Sequence, residues 1–146
     1  MMDSSPYIRS VNYYETDRMA VVHHSNYVRY FEEARVDYLR RNGLDFAELE
    51  GKYGIMFPVL EVNCRYHKFA RFDDELRIFV RLTAYTGVRF TLEYRACFPD
   101  GSLCTEGSTG LAILNSSYLP ISLKRKFPEV HRRFTELLEA DAQRTL

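Results

Sequence analysis

Asn12 to Arg35 reads NYYETDRMAVVHHSNYVRYFEEAR, and its second half decides how the chain folds. The apolar residues Tyr27, Phe31, Ala34 and Tyr38 advance by four, three and four positions, the spacing of one helical face. A helix is therefore expected from about Ser25 to Asn42, with Gly43 terminating it. On its outer side Arg29 and Glu33, Glu32 and Arg35, and Asp37 and Arg41 fall at ion-pairing distances. The first half of the stretch places Asp17 in a short loop ahead of that helix, whose start carries His23 and His24. An acyl group can be attacked in such an arrangement. The Asp17 carboxylate can act as base or nucleophile, while the free N–H groups and positive dipole end of the helix polarise a carbonyl oxygen.

Working outward, Tyr7 to Tyr14 reads as a first strand. Beyond the long helix, a short helical passage near Leu44 to Glu50 gives way to a period of two. Leu60, Val62, Cys64 and Tyr66 alternate with Glu61, Asn63 and Arg65. Leu76, Ile78, Val80 and Leu82 line one face of the next strand, and Val88, Phe90, Leu92, Tyr94 and Ala96 one face of the strand after that. Both read as half-buried antiparallel strands. Thr86-Gly87 and Pro99-Asp100-Gly101-Ser102 supply turns, and Ser102 to Leu114 reads as a long last strand that Pro120 closely follows. Val130, Phe134 and Leu137 repeat at helical spacing in a C-terminal helix that can start at Pro128. The order is strand, long helix, four strands, terminal helix, an α+β arrangement in which one antiparallel sheet must curl around a broad aromatic helical stripe.

With 146 residues the chain is expected to form one domain, residues 1–146, that needs neither disulfide nor metal to fold. Hydrophobic residues at 46% and charged residues at 27% fit a globular protein and argue against disorder. A formal net charge of zero argues against bulk nucleic-acid binding, which needs a clustered positive excess. No apolar run approaches the ~20 residues of a membrane span, and the polar stretch Met1 to Ser5 has no signal-peptide core. A cytoplasmic protein is the expectation. Cys64, Cys97 and Cys104 show no metal-ligand spacing. Asp100-Gly101 reads as a two-residue hairpin turn that would set Cys97 opposite Cys104, yet the compartment favours reduced thiols.

Tyr13-x-Glu15-Thr16-Asp17, then Val21-Val22-x-His24, then Asn26-Tyr27, Phe31-Glu32 and Arg35 resemble, as a set, the signature of hotdog-fold thioesterases of the 4-hydroxybenzoyl-CoA thioesterase type, which include bacterial short-chain acyl-CoA thioesterases. Tyr66-x-x-x-Ala70-x-x-Asp73-Asp74 is similar to that family's approach to its third strand, and the likeness extends from about Tyr7 to Leu114. The resemblance implies a hotdog fold, a five-stranded antiparallel sheet wrapped around one long central helix. It also implies dimers formed edge to edge, often paired into tetramers, with active sites at the dimer interface. Substrates would be acyl thioesters of coenzyme A or, less often, of acyl carrier protein, with no separate cofactor. By position Asp17 matches the catalytic aspartate, and His24 matches the residue whose backbone N–H binds the carbonyl oxygen.

Three positions depart from the family pattern. Ala20 stands where glycine is usual, so the loop either keeps a negative φ or takes up strain. Phe69 stands where proline is usual, and the tip between the third and fourth strands, Thr86 to Arg89, carries Arg89 as its one cation. Tyr14, Asn26 and Tyr27 are candidates for an acyl pocket, or else cap the helix and fill the core. His23 is a site candidate or an exposed neighbour of His24. Adjacent histidines cannot share one helical face, so a metal role is not expected. Glu32 pairs with Arg35 on the helix or else turns inward to position water. Arg89, with His67, Lys68 and Arg71, is a candidate for coenzyme A phosphates or a member of a solvated sheet face.

Thioester hydrolysis needs little more than this. Charge on the carbonyl oxygen must be stabilised as the tetrahedral intermediate forms, and a helix N-terminus supplies a prearranged donor. A thiolate leaves without a strong acid, so one carboxylate and one oxyanion donor make a sufficient minimal site. The reading is an acyl-CoA thioesterase; the alternatives are an acyl-ACP thioesterase or a non-catalytic acyl-binding module on the same fold. A hydratase would need an aspartate and histidine pair in another motif, which the chain lacks.

Overall fold

The computed structural model describes residues 2–146; Met1, which opens the polar N-terminal stretch, lies outside the described residues. The elements are β1 (Tyr7–Ser10), a single 3₁₀ turn (Tyr13–Glu15), α1 (Ser25–Arg41), α2 (Phe46–Tyr53), β2 (Val59–Tyr66), β3 (Glu75–Tyr85), β4 (Arg89–Cys97), β5 (Leu103–Ala112), α3 (Leu123–Lys126) and α4 (Pro128–Ala142). The five strands form one sheet of order β1-β3-β4-β5-β2, and every pairing is antiparallel. This is the single antiparallel sheet around a long helix expected from the helical stripe and the period-two runs, and the hotdog arrangement that the family resemblance implies.

α1 presents Tyr27, Tyr30, Phe31, Ala34 and Tyr38 to the sheet, all of them buried. Phe31 stacks on Tyr94 of β4 with ring centroids 4.6 Å apart. That approach requires a glycine in β5: a Cβ on Gly107 would stand 2.8 Å from the Phe31 ring and 2.3 Å from the Asn63 carbonyl oxygen. Asn42 ends the helix and Gly43 follows at φ +87°, the left-handed stop that its sequence position predicts. α4 starts on Pro128, buries Val130, Phe134 and Leu137, and lies against β3. Its buried Asp141 accepts the Tyr38 hydroxyl at 2.7 Å and the Leu82 N–H at 2.8 Å, which fastens α4 to α1 and the sheet.

Three local expectations change. The first strand stops at Ser10 because Glu15 reaches back: its carboxylate accepts the Asn12 N–H at 2.7 Å, and its own N–H donates to the Asn12 carbonyl at 3.0 Å, winding Tyr13–Glu15 into a 3₁₀ turn. Cys97 lies opposite Leu103, not Cys104, because Phe98 and Ser102 close a three-residue loop whose Gly101 has φ +88°, and the register shifts beside it. All three cysteines are free. The alternating residues of β2 do not divide into a buried and an exposed set, since β2 is an edge strand and Leu60, Val62 and Tyr66 are all exposed.

Candidate active site

The loop carrying Asp17 is a miniature hairpin. Thr16 and Val22 form an antiparallel bridge, the Asp17 N–H donates to the Val21 carbonyl at 2.8 Å, and the Ala20 N–H donates to the Asp17 carbonyl at 2.9 Å. Ala20 closes this turn at φ +62°, so of the two outcomes open at that position the chain takes the strained one. The Val22 N–H donates to the Ala70 carbonyl at 2.8 Å and the His23 N–H to the Glu15 carbonyl at 2.9 Å, which moors the loop to the chain ahead of β3 and to the 3₁₀ turn.

Asp17 is half-buried, and its carboxylate accepts the Met19 N–H at 2.8 Å. Among the described residues that is its one hydrogen bond, so most of its lone pairs face outward. His24 is the N-cap of α1 and has helical dihedrals, φ −53° and ψ −30°. Among the described residues no acceptor takes its N–H. This is one of the orphan donors that every helix start leaves, here free at the positive end of a helix of 17 residues.

Both groups line one cleft of about 210 Å³. Met19, Val21, Val22 and Phe69 make its apolar wall, Tyr27 and Tyr66 its aromatic wall, and Lys68 supplies a cation. Tyr27 is buried and its hydroxyl meets the Cys104 thiol at 3.5 Å. Burial pushes both the phenol and the thiol up, and the thiol raises the phenol further, so both stay protonated at neutral pH. The Tyr66 hydroxyl donates to the His24 carbonyl at 3.3 Å, and its ring meets the His24 ring edge-on. The residues gathered along this cleft suit addition to a polarised carbonyl: Asp17 carries a carboxylate, His24 an N–H without an acceptor among the described residues, and the apolar side chains exclude water.

The remaining sequence candidates are distributed elsewhere. Tyr14 is 77% exposed and lies outside the cleft, with its hydroxyl accepting from the Asn12 amide. The His23 ring stacks on His24 at 4.3 Å and meets Ser25 Oγ at 2.8 Å, bracing the helix start. Asn26 is buried and its amide donates to the Glu15 carbonyl at 2.8 Å, a structural tie. Glu32 is exposed and stands 3.6 Å from Arg35, the outward alternative. Arg89 starts β4 opposite Ala112, at the end of the sheet away from the Tyr66–Thr105 pair beside the cleft. Tyr66, Lys68 and Phe69 enter the cleft because β2 pairs with β5 and Val22 bonds Ala70, neither of which local sequence pattern reveals. Among the described residues no three His, Cys, Asp or Glu side chains are grouped as metal ligands.

Residues 11–137 match the thioesterase-like superfamily. The chain belongs to that family. Among solved structures it is similar to a DHNA-CoA thioesterase from Staphylococcus aureus, with 31% identity and a TM-score of 0.89 over 97% of this chain and 95% of that one. It is 30% identical over 96 residues to the acyl-CoA thioester hydrolase YbgC of Escherichia coli, covering 66% of this chain and 71% of the relative. A 1,4-dihydroxy-2-naphthoyl-CoA hydrolase from Thermosynechococcus vestitus is 28% identical over 120 residues, 82% of this chain and 77% of the relative.

Proposed function

We propose that this protein is an acyl-CoA thioesterase in which Asp17 serves as base or nucleophile and the His24 N–H binds the carbonyl oxygen. The reaction class, thioester hydrolysis, comes with the family. The observation that carries the assignment of residues is the shared cleft: Asp17, whose carboxylate keeps free lone pairs, and His24, whose N–H has no acceptor among the described residues, both line it. As a base, Asp17 takes a proton from water while the water oxygen adds to the thioester carbon. The carbonyl π electrons move onto oxygen, where the His24 N–H and the α1 dipole stabilise them. Collapse restores the carbonyl and expels coenzyme A as its thiolate. As a nucleophile, the carboxylate adds directly, expels the thiolate, and leaves an anhydride that water then hydrolyses. Both routes use the same two groups.

The fold also supports a place for the coenzyme A phosphates. The Leu123 N–H donates to the Gly87 carbonyl at 2.9 Å, which sets α3 against the β3–β4 tip and brings Lys124, Arg125 and Lys126 to the neighbourhood of Arg89. All four cations are exposed, and among the described residues none is in an ion pair. Clustered free cations suit a nucleotide 3′-phosphate and pyrophosphate. The patch and Asp17 lie at opposite ends of the sheet. Antiparallel pairing of two β2 edges would lay one copy's patch at the end that carries the other copy's cleft, which supports the homodimer, alone or doubled into a tetramer.

The test is thiol release from short, long, branched and aromatic acyl-CoAs, run beside the matching acyl-pantetheines on wild type and Asp17→Asn. Turnover of coenzyme A esters that Asp17→Asn removes, with weaker binding of the pantetheines, supports both parts. No release from any coenzyme A ester shifts the substrate to a carrier-protein thioester or makes the fold a binding module.

A further inference from the structure

Glu15 stands two residues before Asp17 and is buried to 4% exposure. Its carboxylate accepts four hydrogen bonds: Arg9 Nη1 at 2.9 Å, Arg9 Nη2 at 2.6 Å, the Asn12 N–H at 2.7 Å and the Tyr30 hydroxyl at 2.9 Å. Its backbone carbonyl accepts two more, from the His23 N–H at 2.9 Å and the Asn26 amide at 2.8 Å. Arg9 comes from β1, reaches Glu33 of α1 at 2.8 Å, and lies 4.7 Å over the Tyr30 ring. Burial alone would push the Glu15 carboxyl up, but Arg9, the Asn12 N–H and the Tyr30 hydroxyl hold it below the ordinary carboxylate range. It is an ionised, fully bonded anchor.

The position of this anchor in the chain is what matters. The loop that bears Asp17 leaves Glu15 through Thr16 and returns at His23, whose N–H is bonded to the Glu15 carbonyl, and His24 follows at once. One residue thus holds both ends of the segment that separates the carboxylate from the oxyanion donor. Glu15 itself is not among the residues lining the cleft, and its carboxylate is buried among four donors, so it does not meet substrate.

We infer that Glu15, clamped by Arg9, is the positioning residue that sets the placement of the Asp17 carboxylate relative to the His24 N–H, and so governs kcat. This rests on the assignment of Asp17 and His24 proposed above. A displacement of about 1 Å between reacting groups costs on the order of 10²-fold in rate.

The test is a double-mutant cycle on kcat and KM in the thiol-release assay, with wild type, Glu15→Gln, Asp17→Asn and the double variant. Glutamine keeps an acceptor oxygen and removes the charge that Arg9 grips. Glu15→Gln is expected to lower kcat about 10²-fold with KM within about twofold, and to add nothing to the loss already caused by Asp17→Asn. Losses that multiply in the double variant would make Glu15 a general structural residue and overturn the inference. An unchanged kcat in Glu15→Gln beside an inactive Asp17→Asn overturns it while leaving the assignment of Asp17 standing. A wild-type rate in Asp17→Asn overturns that assignment first. Tyr30→Phe covers the case in which Glu15→Gln does not fold, because it removes one bond to the anchor without unpairing a charge. It should lower kcat about tenfold at constant KM, and an unaltered kcat there also overturns the inference.

Discussion

Glu15 and Asp17 are carboxylates two residues apart on one turn of chain, and their surroundings make them opposites. Glu15 is buried under four donors from three residues, whereas Asp17 is half-buried with one backbone donor to its carboxylate, the Met19 N–H. A carboxylate buried and held by four donors is in no position to take a proton from water or to reach a carbonyl carbon. One with free lone pairs beside an apolar wall is. On the assignment proposed for Asp17, the contrast separates scaffold from reagent within three residues, and it can be broken by experiment.

The largest effect is expected at the reagent. Asp17→Asn should lower kcat by about 10²–10⁴-fold, the usual contribution of a general base, while shifting unfolding free energy by no more than about 0.5 kcal/mol. Asparagine can still accept the Met19 N–H, so the turn survives. Thiol release and urea unfolding on the same preparation check both halves, and a stability loss that tracked the activity loss would abolish the distinction.

The scaffold residue should answer in the other currency. Glu15→Ala leaves Arg9 without one of its two carboxylates and the Asn12 N–H without its acceptor. Breaking a buried pair in this way is expected to cost about 3 kcal/mol of unfolding free energy, toward the low end for buried pairs because Glu33 still holds Arg9. Urea midpoints measure it. A loss below 1 kcal/mol, on the order of an exposed pair, would show that the anchor is solvated.

Acid sharpens the same point. The Glu15 carboxyl lies below its ordinary value of 4.5, so its contribution to stability is complete above that pH and is lost as pH falls through the depressed folded value. The stability gap between wild type and Glu15→Gln should therefore be constant from pH 7 to about 5 and narrow progressively as pH falls below about 4.5. Urea unfolding at a series of pH values tests this, and a gap as wide at pH 3 as at pH 7 would mean the anchor does not depend on the Glu15 charge.

What could be read in advance follows the range of the interactions. The α1 stripe of Tyr27, Phe31, Ala34 and Tyr38 is local, and so are the Gly43 stop and the alternation in β3 and β4; all were legible. Asp17 and His24 were legible as members of a motif. The role of Glu15 was not, because its partners Arg9 and Tyr30 lie 6 and 15 residues away on separate elements. For the same reason sequence pattern groups Arg89 with His67, Lys68 and Arg71 as phosphate candidates and does not bring in the α3 cations. Lys124 to Lys126 join Arg89 only through the Leu123–Gly87 bond. The Cys97 pairing differs on a smaller matter: the Pro99–Gly101 loop has one extra residue and sets Cys97 opposite Leu103, and the register shift beside it restores, from Ala96–Thr105 onward, the pairing that a two-residue turn would give.

The smallest expected effect concerns Ala20, the residue that closes the Asp17 turn. Its φ of +62° places a Cβ against the following carbonyl, a strain of about 1–2 kcal/mol for an L-residue. Glycine removes that strain but adds freedom to the unfolded chain, which takes back about 0.5–1 kcal/mol. Ala20→Gly should therefore stabilise the protein by about 0.5–1 kcal/mol, a rise of roughly 2 °C in Tm. The bonds from the Asp17 N–H to Val21 and from the Ala20 N–H to Asp17 do not involve the methyl group, so kcat should stay within about twofold. A clear fall in kcat despite the higher Tm would mean that the methyl group restrains the turn and that its strain is used to aim Asp17. The rigidity ascribed to Glu15 would then be shared between a buried ion pair on one side of the aspartate and a strained alanine on the other.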